Sequence, residues 1–374
     1  MYPDATPDFM ERQRLVKIVV EGFTSISSAT VELRALNVLV GANGAGKSNL
    51  IRAFGMLGRI FARDLGFFVG QSGGASALLH AGSAEAPAIR FEVHSPTAGY
   101  SAELVRDDED SLIFSSEGLW SPIDTHTTVS LGRGHRETHL SRAGYDTLPG
   151  ADSALDAIRG SRVYHFNNTG REAPAMQNQY IADNLELHPN AANIAPVLLR
   201  LRESDPVAYT SVIETVKLAA PFFRDFVLEP ESANRDRVRL RWRQEGAYRV
   251  FPASALSDGT LRFICLATLL RQPELASLII LDEPELGLHP FAISLLAEML
   301  QAASSQSQVL IATQSVTLMN QFALDDLVVA ERLQGASVFE RPDPEKLRDW
   351  LAGYSLGELW EMNILGGRPG PERG

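Results

Sequence analysis

The sequence predicts an α/β fold in which a mixed β-sheet core carries an antiparallel β patch and a helical lobe. A β-prone segment at 29–40 runs into a glycine-rich loop, after which apolar residues recur at helical spacing. Two short, wholly apolar runs, 278–281 and 309–312, are typical of strands buried on both faces of a sheet. Apolar and polar residues alternate at 88–94, which is typical of an antiparallel sheet with one solvated face.

The remaining elements rest on periodicity and on residues that begin or end helices. Further strands are predicted from alternating or apolar runs at 15–20, 100–105, 112–114, 162–166, 235–243 and 327–330. Helices are predicted from apolar residues three and four positions apart, after Gly46 and at 191–201, 208–218, 260–270, 290–302 and 344–352. Pro290 suits a first helical turn, and Gly353 ends the last of these helices.

Composition and charge exclude several classes of protein. The 374 residues are 45% apolar and carry a net charge of −12, so the surface as a whole does not attract nucleic acid or anionic lipid. A local basic groove remains compatible with that total. The N-terminus lacks the apolar stretch of a signal peptide, and no apolar run reaches the ~18 residues of a membrane span. The single cysteine, Cys265, is expected in the core, and we expect a cytoplasmic protein without a membrane partner.

The glycine-rich loop, GANGAGKSN, matches the phosphate-binding pattern G-x-x-x-x-G-K-[ST]. Its glycines let the backbone wrap around phosphate, and the helix that follows presents its positive N-terminus to the same group. Lys47 is expected to contact the β and γ phosphate oxygens of ATP, and the Ser48 hydroxyl to bind Mg²⁺. The candidate nucleotide-binding residues of this P-loop are Gly41, Asn43, Gly44, Ala45, Gly46, Lys47, Ser48 and Asn49.

Two adjacent carboxylates, Asp282 and Glu283, follow the apolar run at 278–281. The end of a buried parallel strand lies at the sheet edge where nucleotide sites form. Asp282 is therefore a candidate Mg²⁺ ligand, directly or through water. Glu283 is a candidate catalytic base that orients or deprotonates the attacking water. A solvated strand end is the plainer alternative, and the apolar run before the pair and Pro284 after it argue against it.

A third motif, ALSDGT at 255–260, precedes the carboxylate pair. It predicts a second helix N-terminus, where the Ser257 hydroxyl and the Gly259 N–H could bind a γ-phosphate. Ser257 or Thr260 would equally serve as a plain N-cap. The position of the motif between the P-loop and the carboxylates favours the phosphate-binding role.

These three motifs, in this order, resemble those of the ABC ATPase superfamily, and Ser257-Asp258-Gly259-Thr260 is similar to its signature loop. The sequences GANGAGKSN and DEPELGLHP resemble the corresponding motifs of the soluble branch of the superfamily, the SMC, RecF and OLD-like ATPases. Nearly the whole chain, 15–360, is similar to a bacterial family of AAA/SMC-like ATPases. The resemblance implies a two-lobed P-loop NTPase head of the ABC type.

The same resemblance implies that two copies dimerise head to tail around two ATP molecules. Lys47 and Ser48 of one copy and Ser257 and Gly259 of the other would then contact one nucleotide. The loop that ends at His289 would lie at the dimer seam, which makes His289 a further nucleotide-binding candidate.

The sequence departs from the superfamily pattern at three points. Gln314 stands where the γ-phosphate-sensing switch often has histidine, so this candidate catalytic residue can donate a hydrogen bond but carries no proton at neutral pH. Asp258 replaces a signature glycine and brings negative charge near the nucleotide, so its side chain is expected to point aside. No glutamine directly follows the strand at 162–166, and the candidates for a lid-coupling residue are Asn167, Asn168, Gln177 and Gln179.

Two weaker patterns have plain interpretations that we prefer. His126, His135 and His139, with Asp124 and Glu137, lack the tight spacing of metal ligands, and ordinary surface histidines are expected. Alternating arginines could contact phosphates, but a solvated strand face paired with nearby acids is the default. These arginines are Arg235, Arg237, Arg239, Arg241 and Arg243.

The motifs divide the chain into lobes. We expect a nucleotide-binding lobe at 1–114 and 244–365, a polar insertion or mobile loop at 115–160, a helical lid lobe at 161–243 and a disordered tail at 366–374.

The sequence therefore predicts a Mg²⁺-dependent ATPase whose ATP-bound homodimer is the working state and whose hydrolysis resets it. By analogy with its relatives, such a switch serves DNA repair, chromosome maintenance or phage defence, with DNA and a separate effector protein as candidate partners. Two alternatives remain: the nucleotide-binding subunit of a membrane transporter, and a non-hydrolysing, ATP-gated interaction module. Gln314 and the divergent signature count against the first, and the pair of Asp282 and Glu283 counts against the second.

Overall fold

The computed structural model describes residues 14–80, 87–121, 128–140 and 151–367, with the backbone alone at 151–154. The chain divides into two compact units. The first comprises Met1–Val163, Ala276–Ile280 and Gln306–Gly374, and the second comprises Tyr164–Leu275 and Leu281–Ser305.

The strands of the described residues are short and numerous. They are β1 Lys17–Phe23, β2 Ile26–Glu32, β3 Leu36–Val40, β4 Ala88–His94, β5 Gly99–Arg106, β6 Leu112–Trp120, β7 Thr128–Gly132, β8 Ser161–Tyr164, β9 Gln179–Tyr180, β10 Phe223–Val227, β11 Pro230–Glu231, β12 Asn234–Val238, β13 Arg241–Gln244, β14 Val250–Pro252, β15 Leu278–Asp282, β16 Gln308–Thr313, β17 Leu327–Leu333 and β18 Ala336–Glu340.

The helices follow the same chain order. They are α1 Lys47–Phe61, α2 Leu65–Gln71, α3 Ala151–Arg159, α4 Ile194–Ser204, α5 Pro206–Ala219, α6 Asp258–Leu270, α7 Pro290–Ser304, α8 Val316–Met319, α9 Pro344–Leu351 and α10 Leu356–Glu361. In the described part of the chain, no helix is long and apolar enough to cross a membrane.

Strands β2, β1, β4, β5, β6 and β7 form an antiparallel sheet in that order. Its buried face carries Ile89, Phe91 and Val93 of β4, as the alternation in this segment predicts. Leu50 and Leu57, on the apolar face of α1, belong to the same core. The predicted antiparallel β patch is confirmed.

Strands β18, β17, β3, β16, β15 and β8 form a second sheet in that order. β3 is parallel to β16 and β17, whereas β17 and β18 are antiparallel, so this sheet is mixed, as predicted. Every residue of β3 and β16 is buried, as in strands covered on both faces. Because parallel neighbours end at the same sheet edge, the residues that follow β3 and β16 are brought together.

The segment predicted as one strand at 29–40 contributes to two strands, which is a correction. β2 has an alternating burial pattern and lies in the antiparallel sheet, whereas β3 is wholly buried and lies in the mixed sheet. Between them the Asn37 side chain accepts a hydrogen bond from Arg34 N at 2.9 Å and donates one to Arg34 O at 2.7 Å. The sequence pattern does not reveal this turn, because apolar residues continue from β2 through it into β3.

The second unit contains helices α4 to α7 and two small sheets. Helices α4 and α5 pack on each other and on α6, which also packs on α7. One sheet has the order β10-β13-β14 and the other β11-β12-β9. The Trp242 ring stacks against Phe223 and Phe251, with centroid distances of 6.1 and 5.0 Å, and so forms the centre of the first small sheet.

The sequence predicts one strand at 235–243, but the structure has two strands there, β12 and β13, in different sheets. The predicted alternation is present, because Val238, Leu240 and Trp242 are all buried. The strand is interrupted at Leu240, whose carbonyl accepts a hydrogen bond from Ala253 N at 3.1 Å.

The segment 115–160, predicted to be a polar insertion or mobile loop, contains the end of β6, strand β7 and helix α3 where it is described. Residues 122–127 and 141–150 of that segment lie outside the described residues, as does 368–374 of the predicted tail.

Candidate functional site

The P-loop joins β3 to α1 in the first unit. Its lysine, Lys47, is only 5% exposed, and the ammonium Nζ donates hydrogen bonds to Gly41 O at 2.6 Å and Ala42 O at 3.0 Å. Two carbonyl acceptors thus hold the buried charge of Lys47 over the loop. Such a fixed cation is what binding of phosphate oxygens requires.

Gly46, the residue before α1, can only be glycine in this backbone. Its φ is 105°, and a Cβ atom there would lie 2.0 Å from Ser337 Oγ. Behind the loop, Ser337 Oγ shares a 2.6 Å hydrogen bond with Ser25 Oγ, which also accepts one from Asn49 Nδ2 at 2.7 Å. The Asn49 side chain therefore supports the P-loop from behind. Sequence reasoning missed Ser25 and Ser337, since no motif marks two isolated serines that meet only in the fold.

The expected switch residue, Gln314, follows β16 and reaches the P-loop. Gln314 Nε2 donates a 2.6 Å hydrogen bond to Asn43 Oδ1. Thr313, which is fully buried, fixes the chain here, because its Oγ1 accepts a hydrogen bond from Ser315 N at 2.9 Å. The structure thus joins two predicted site residues that are 271 positions apart.

The C-terminal segment also contacts the P-loop. Gly367 O accepts a 2.6 Å hydrogen bond from Ala42 N, and Gly367 N donates one to the Glu331 carboxylate. The sequence assigns Gly366 and Gly367 to a disordered tail, and this assignment is wrong for both residues. Local composition could not reveal the contact, because its partners lie far away in the chain.

The signature-like loop lies in the second unit, where α6 begins at Asp258. The N-cap is Ser257, whose Oγ accepts a hydrogen bond from Thr260 N at 3.2 Å and lies 2.8 Å from Thr260 Oγ1. Asp258 is exposed in the first helical turn, where a negative charge stabilises the helix N-terminus. The plain capping role and the candidate phosphate-binding role therefore fall on the same hydroxyl of Ser257.

Gly259 packs against the loop that follows β15. A Cβ atom on Gly259 would lie 2.3 Å from Gly287 O, so only glycine allows this approach. Arg262, one helical turn further, is buried and donates hydrogen bonds to Phe166 O at 3.2 Å and Asn167 O at 3.4 Å. Burial lowers the pKa of the Arg262 guanidinium. Sequence reasoning missed Arg262, although a charge inside the apolar run of α6 was a visible signal.

The candidates for a lid-coupling residue differ in how firmly they are held. Gln179 is buried, donates to Ala175 O at 2.9 Å and accepts from Ala195 N at 2.8 Å, so its amide is engaged inside the second unit. Gln177 Nε2 donates to Arg171 O at 3.2 Å. The lid-coupling role of Asn167, Asn168, Gln177 or Gln179 stays a prediction.

The two carboxylates stand at the end of β15. Asp282 is the last residue of the strand, and both side chains are half-buried. Glu283 has a left-handed backbone with φ of 46°, which costs a non-glycine residue about 1–2 kcal/mol. Strained backbone of this kind is concentrated at functional sites.

His289 acts as a helix cap in this structure. Its Nδ1 accepts a hydrogen bond from Phe291 N at 3.3 Å, and Pro290 occupies the first position of α7. The side chain is exposed, so a nucleotide contact by His289 stays a proposal that depends on a second copy.

The histidine cluster differs from the expectation of surface side chains. His135 is nearly buried, stacks on His139 at a centroid distance of 3.9 Å, and places Nε2 2.9 Å from the buried carboxylate of Glu117. Glu137 caps α2 by accepting hydrogen bonds from Leu65 N and Gly66 N. The other two residues of the pattern, His126 and Asp124, lie outside the described residues.

Comparison with protein families identifies the chain. A family profile described as "AAA domain, putative AbiEii toxin, Type IV TA system" matches residues 36–320, well over half of the sequence. The chain belongs to this AAA family. A comparison with curated proteins gives no match.

Solved structures show the fold of this AAA-family chain. An SMC head bound to the C-winged helix domain of ScpA has 17% identity and a TM-score of 0.56, covering 90% of this chain and 99% of that one. An SMC head domain with an extended coiled coil, bound to the C-terminal domain of ScpA and derived from Pyrococcus furiosus, has 17% identity and a TM-score of 0.53. That match covers 90% of this chain and 98% of the other. The predicted P-loop ATPase head of the ABC/SMC type is therefore confirmed as the fold.

Proposed function

We propose that this protein is a Mg²⁺-dependent ATPase that acts as an ATP-gated switch. ATP binds to the P-loop of one copy, and the signature-like loop of a second copy completes the binding site. The two copies are arranged head to tail. Hydrolysis then opens the dimer. The observation that carries the proposal is the prepared P-loop, in which the buried ammonium of Lys47 is fixed on two carbonyls and Gln314 is fixed on Asn43.

The P-loop fits a nucleotide triphosphate on its own geometry. Gly46 opens α1 without a side-chain cap, so the helix N-terminus is suited to an anionic group. Ser48 is exposed at the start of the same helix, and Lys47 supplies the positive charge beside it. ATP would be bound by Gly41, Asn43, Gly44, Ala45, Gly46, Lys47, Ser48 and Asn49.

Ser48 and Asp282 would hold Mg²⁺, which would supply positive charge against the phosphate oxygens of ATP. Glu283 would accept the proton of the attacking water or orient that water. Gln314 would donate its amide N–H to the γ-phosphate, and would leave Asn43 to do so. Since glutamine does not titrate, pH near neutrality does not change the donor of this contact.

Ser257 is exposed at the start of its helix, so a second copy could reach its hydroxyl. In the closed dimer Ser257 and Gly259 would face the γ-phosphate bound by the other copy, with Asp258 turned to solvent and His289 at the seam. ATP supplies the contacts that close this interface, and their loss on hydrolysis favours the open state.

The output of the switch would pass to a separate effector, in DNA repair, chromosome maintenance or phage defence. Two of the structural relatives are SMC heads bound to a domain of ScpA, and the family description names a toxin–antitoxin system. Both descriptions support a partner protein for this head. The choice among the three processes remains an inference by analogy.

The experiment is the solution mass of E283Q, measured by light scattering with and without Mg-ATP, together with ATP turnover. We expect E283Q to be a monomer without nucleotide and a dimer with Mg-ATP, and to turn over about 10²–10⁴-fold more slowly than wild type. K47A is the matched control, because it should neither bind ATP nor dimerise.

Each alternative has its own outcome. Wild-type turnover by E283Q would show that Glu283 is not the base. No turnover by the wild-type chain, with an intact ATP-dependent dimer, would favour the non-hydrolysing module. Stable co-purification with an integral membrane protein would favour the transporter subunit.

A further inference from the structure

The segment that carries β12, β13 and the start of β14 presents arginines on its exposed side. Between residues 234 and 251 there are six arginines and only two acids, Asp236 and Glu245, in a chain whose net charge is −12. All but one of these arginines are exposed, and Arg241 is half-buried. We call the six the arginine surface: Arg235, Arg237, Arg239, Arg241, Arg243 and Arg249.

Little of this charge is neutralised within the protein. In the described part of the chain, the single ion pair of the arginine surface joins Arg239 Nε to Glu231 at 4.0 Å, the limit for such a contact. Arg241 donates to the carbonyl of Glu229 at 2.9 Å, which leaves its charge uncompensated. Asp225 pairs in register with Arg243, but its carboxylate accepts hydrogen bonds from the Tyr209 hydroxyl and the Phe226 amide.

The default interpretation of the arginine stripe, a solvated face paired with nearby acids, is therefore weakened. Exposed positive charges with so few acidic partners attract a polyanion.

Aromatic side chains lie among these arginines. The Arg237 guanidinium lies 5.7 Å from the centroid of the Tyr180 ring, which is 49% exposed on the neighbouring strand β9. Tyr248 is fully exposed, at 105%, in the turn between β13 and β14. Arg249 stacks over Phe251 at 4.3 Å. Exposed tyrosines beside arginines provide stacking platforms for unpaired bases as well as contacts to phosphate.

We propose that the arginine surface, together with Tyr180 and Tyr248, binds single-stranded DNA. The choice of DNA rests on the proposed function. The arginines contact the phosphates of the strand, and the tyrosines stack on its bases. An acidic protein partner would use the charges but would not need the exposed rings of Tyr180 and Tyr248 beside them.

The test uses the full-length chain and a fluorescein-labelled single-stranded oligodeoxynucleotide of mixed sequence, in fluorescence anisotropy at several salt concentrations. The variant R235Q/R243Q/R249Q removes three exposed charges, and Y248A removes the ring. The matched control is R106Q/R133Q/R202Q, which removes three exposed arginines elsewhere. Circular dichroism and Mg-ATP turnover check that each variant folds and keeps its nucleotide site.

We expect the triple variant to lower the slope of log affinity against log salt by about 2, since each phosphate contact on a single strand contributes roughly 0.7. Y248A should weaken binding to the single strand roughly tenfold and leave binding to a blunt duplex of the same sequence nearly unchanged. The control triple should bind like wild type.

Three results would overturn the inference. The first is that wild type binds no DNA with or without Mg-ATP, while its ATP turnover and ATP-dependent dimer are normal; the proposed switch would survive this result. The second is an equal loss of binding in R106Q/R133Q/R202Q, which would show that DNA binding depends on the net charge of the protein and not on the arginine surface. The third is that wild type binds the matching RNA, or anionic vesicles with about 30% phosphatidylserine, more tightly than it binds the single-stranded DNA. This tighter binding would also have to be lost in R235Q/R243Q/R249Q.

Discussion

The two helix N-termini that serve the proposed reaction are built in opposite ways. At the P-loop, α1 starts after Gly46, which has a left-handed backbone and no side-chain cap. At the signature-like loop, α6 starts after Ser257, whose hydroxyl caps the helix. Serine is among the strongest N-caps because its side chain accepts a hydrogen bond from the helix, whereas glycine has no side chain to do so. Helix α1 therefore begins without a side-chain cap, so its first N–H groups are available to a ligand.

The difference extends to what surrounds each loop. The P-loop is supported by contacts from distant parts of the first unit, through Ser25, Ser337, Gln314 and Gly367. The signature-like loop is supported by close backbone packing of Gly259 on Gly287. We infer that the P-loop is prepared for phosphate before ATP arrives. The Ser257 oxygen accepts the capping bond from Thr260 N, so its O–H would be the group that donates to a phosphate.

The largest effect should come from G46A in the P-loop. The added Cβ must occupy a left-handed backbone and would lie 2.0 Å from Ser337 Oγ, so we expect a loss of about 2–4 kcal/mol in the free energy of unfolding. Urea denaturation followed by circular dichroism measures it.

G44A is the matched control for G46A. Gly44 has φ of 81°, and nothing lies within 4 Å of a Cβ atom there, so only the backbone cost of about 1–2 kcal/mol should appear. Equal losses in the two variants would contradict the idea that the P-loop is held by packing from behind.

At the signature-like loop, S257A and S257D separate capping from phosphate contact. S257A loses the cap and should cost about 1 kcal/mol of stability, whereas S257D keeps a good cap and should be nearly neutral. Both should lose ATP-dependent dimerisation, S257D because its charge repels the γ-phosphate. Light scattering with Mg-ATP, in the E283Q background, is the measurement. A normal ATP-dependent dimer in S257D would place the second phosphate contact elsewhere.

The smallest effect concerns the bond between Gln314 and Asn43. A double-mutant cycle with Q314A and N43A should give a coupling of about 0.5–1 kcal/mol in the free energy of unfolding, since one neutral hydrogen bond of 2.6 Å joins the side chains. The coupling should shrink when a non-hydrolysable ATP analogue is bound, because Gln314 then contacts phosphate. An unchanged coupling would argue against the switch role of Gln314.

Most of the fold could be predicted from short-range patterns. The wholly apolar runs identified β15 and β16, proline opened α7 at the expected residue, and the strand, glycine loop and helix gave the P-loop. Cys265 was expected in the core, where burial raises the pKa of its thiol to about 12. These predictions succeed because the periods of helix and strand are local properties.

The failures occur where the pattern continues but the pairing changes. The segment at 29–40 passes from one sheet to another, and so does the segment at 235–243, without a break in its apolar alternation. The contact of Gly367 with the P-loop was not predicted, because the composition around Gly367 resembles that of a disordered tail. Pairing partners are far away in the chain, so periodicity carries no information about them.

The sequence by itself determined the chemistry of the loops: a lysine and serine after three glycines, a signature-like serine, and two adjacent carboxylates. These are properties of residue type and spacing, which local backbone geometry turns into helix N-termini and strand ends. Only the tertiary structure decided that Gln314 meets Asn43, that Ser337 makes Gly46 obligatory, and that Arg262 links α6 to Phe166. Each of these is a contact between residues that are distant in the chain, and the close packing of the interior, which periodicity does not encode, fixes it.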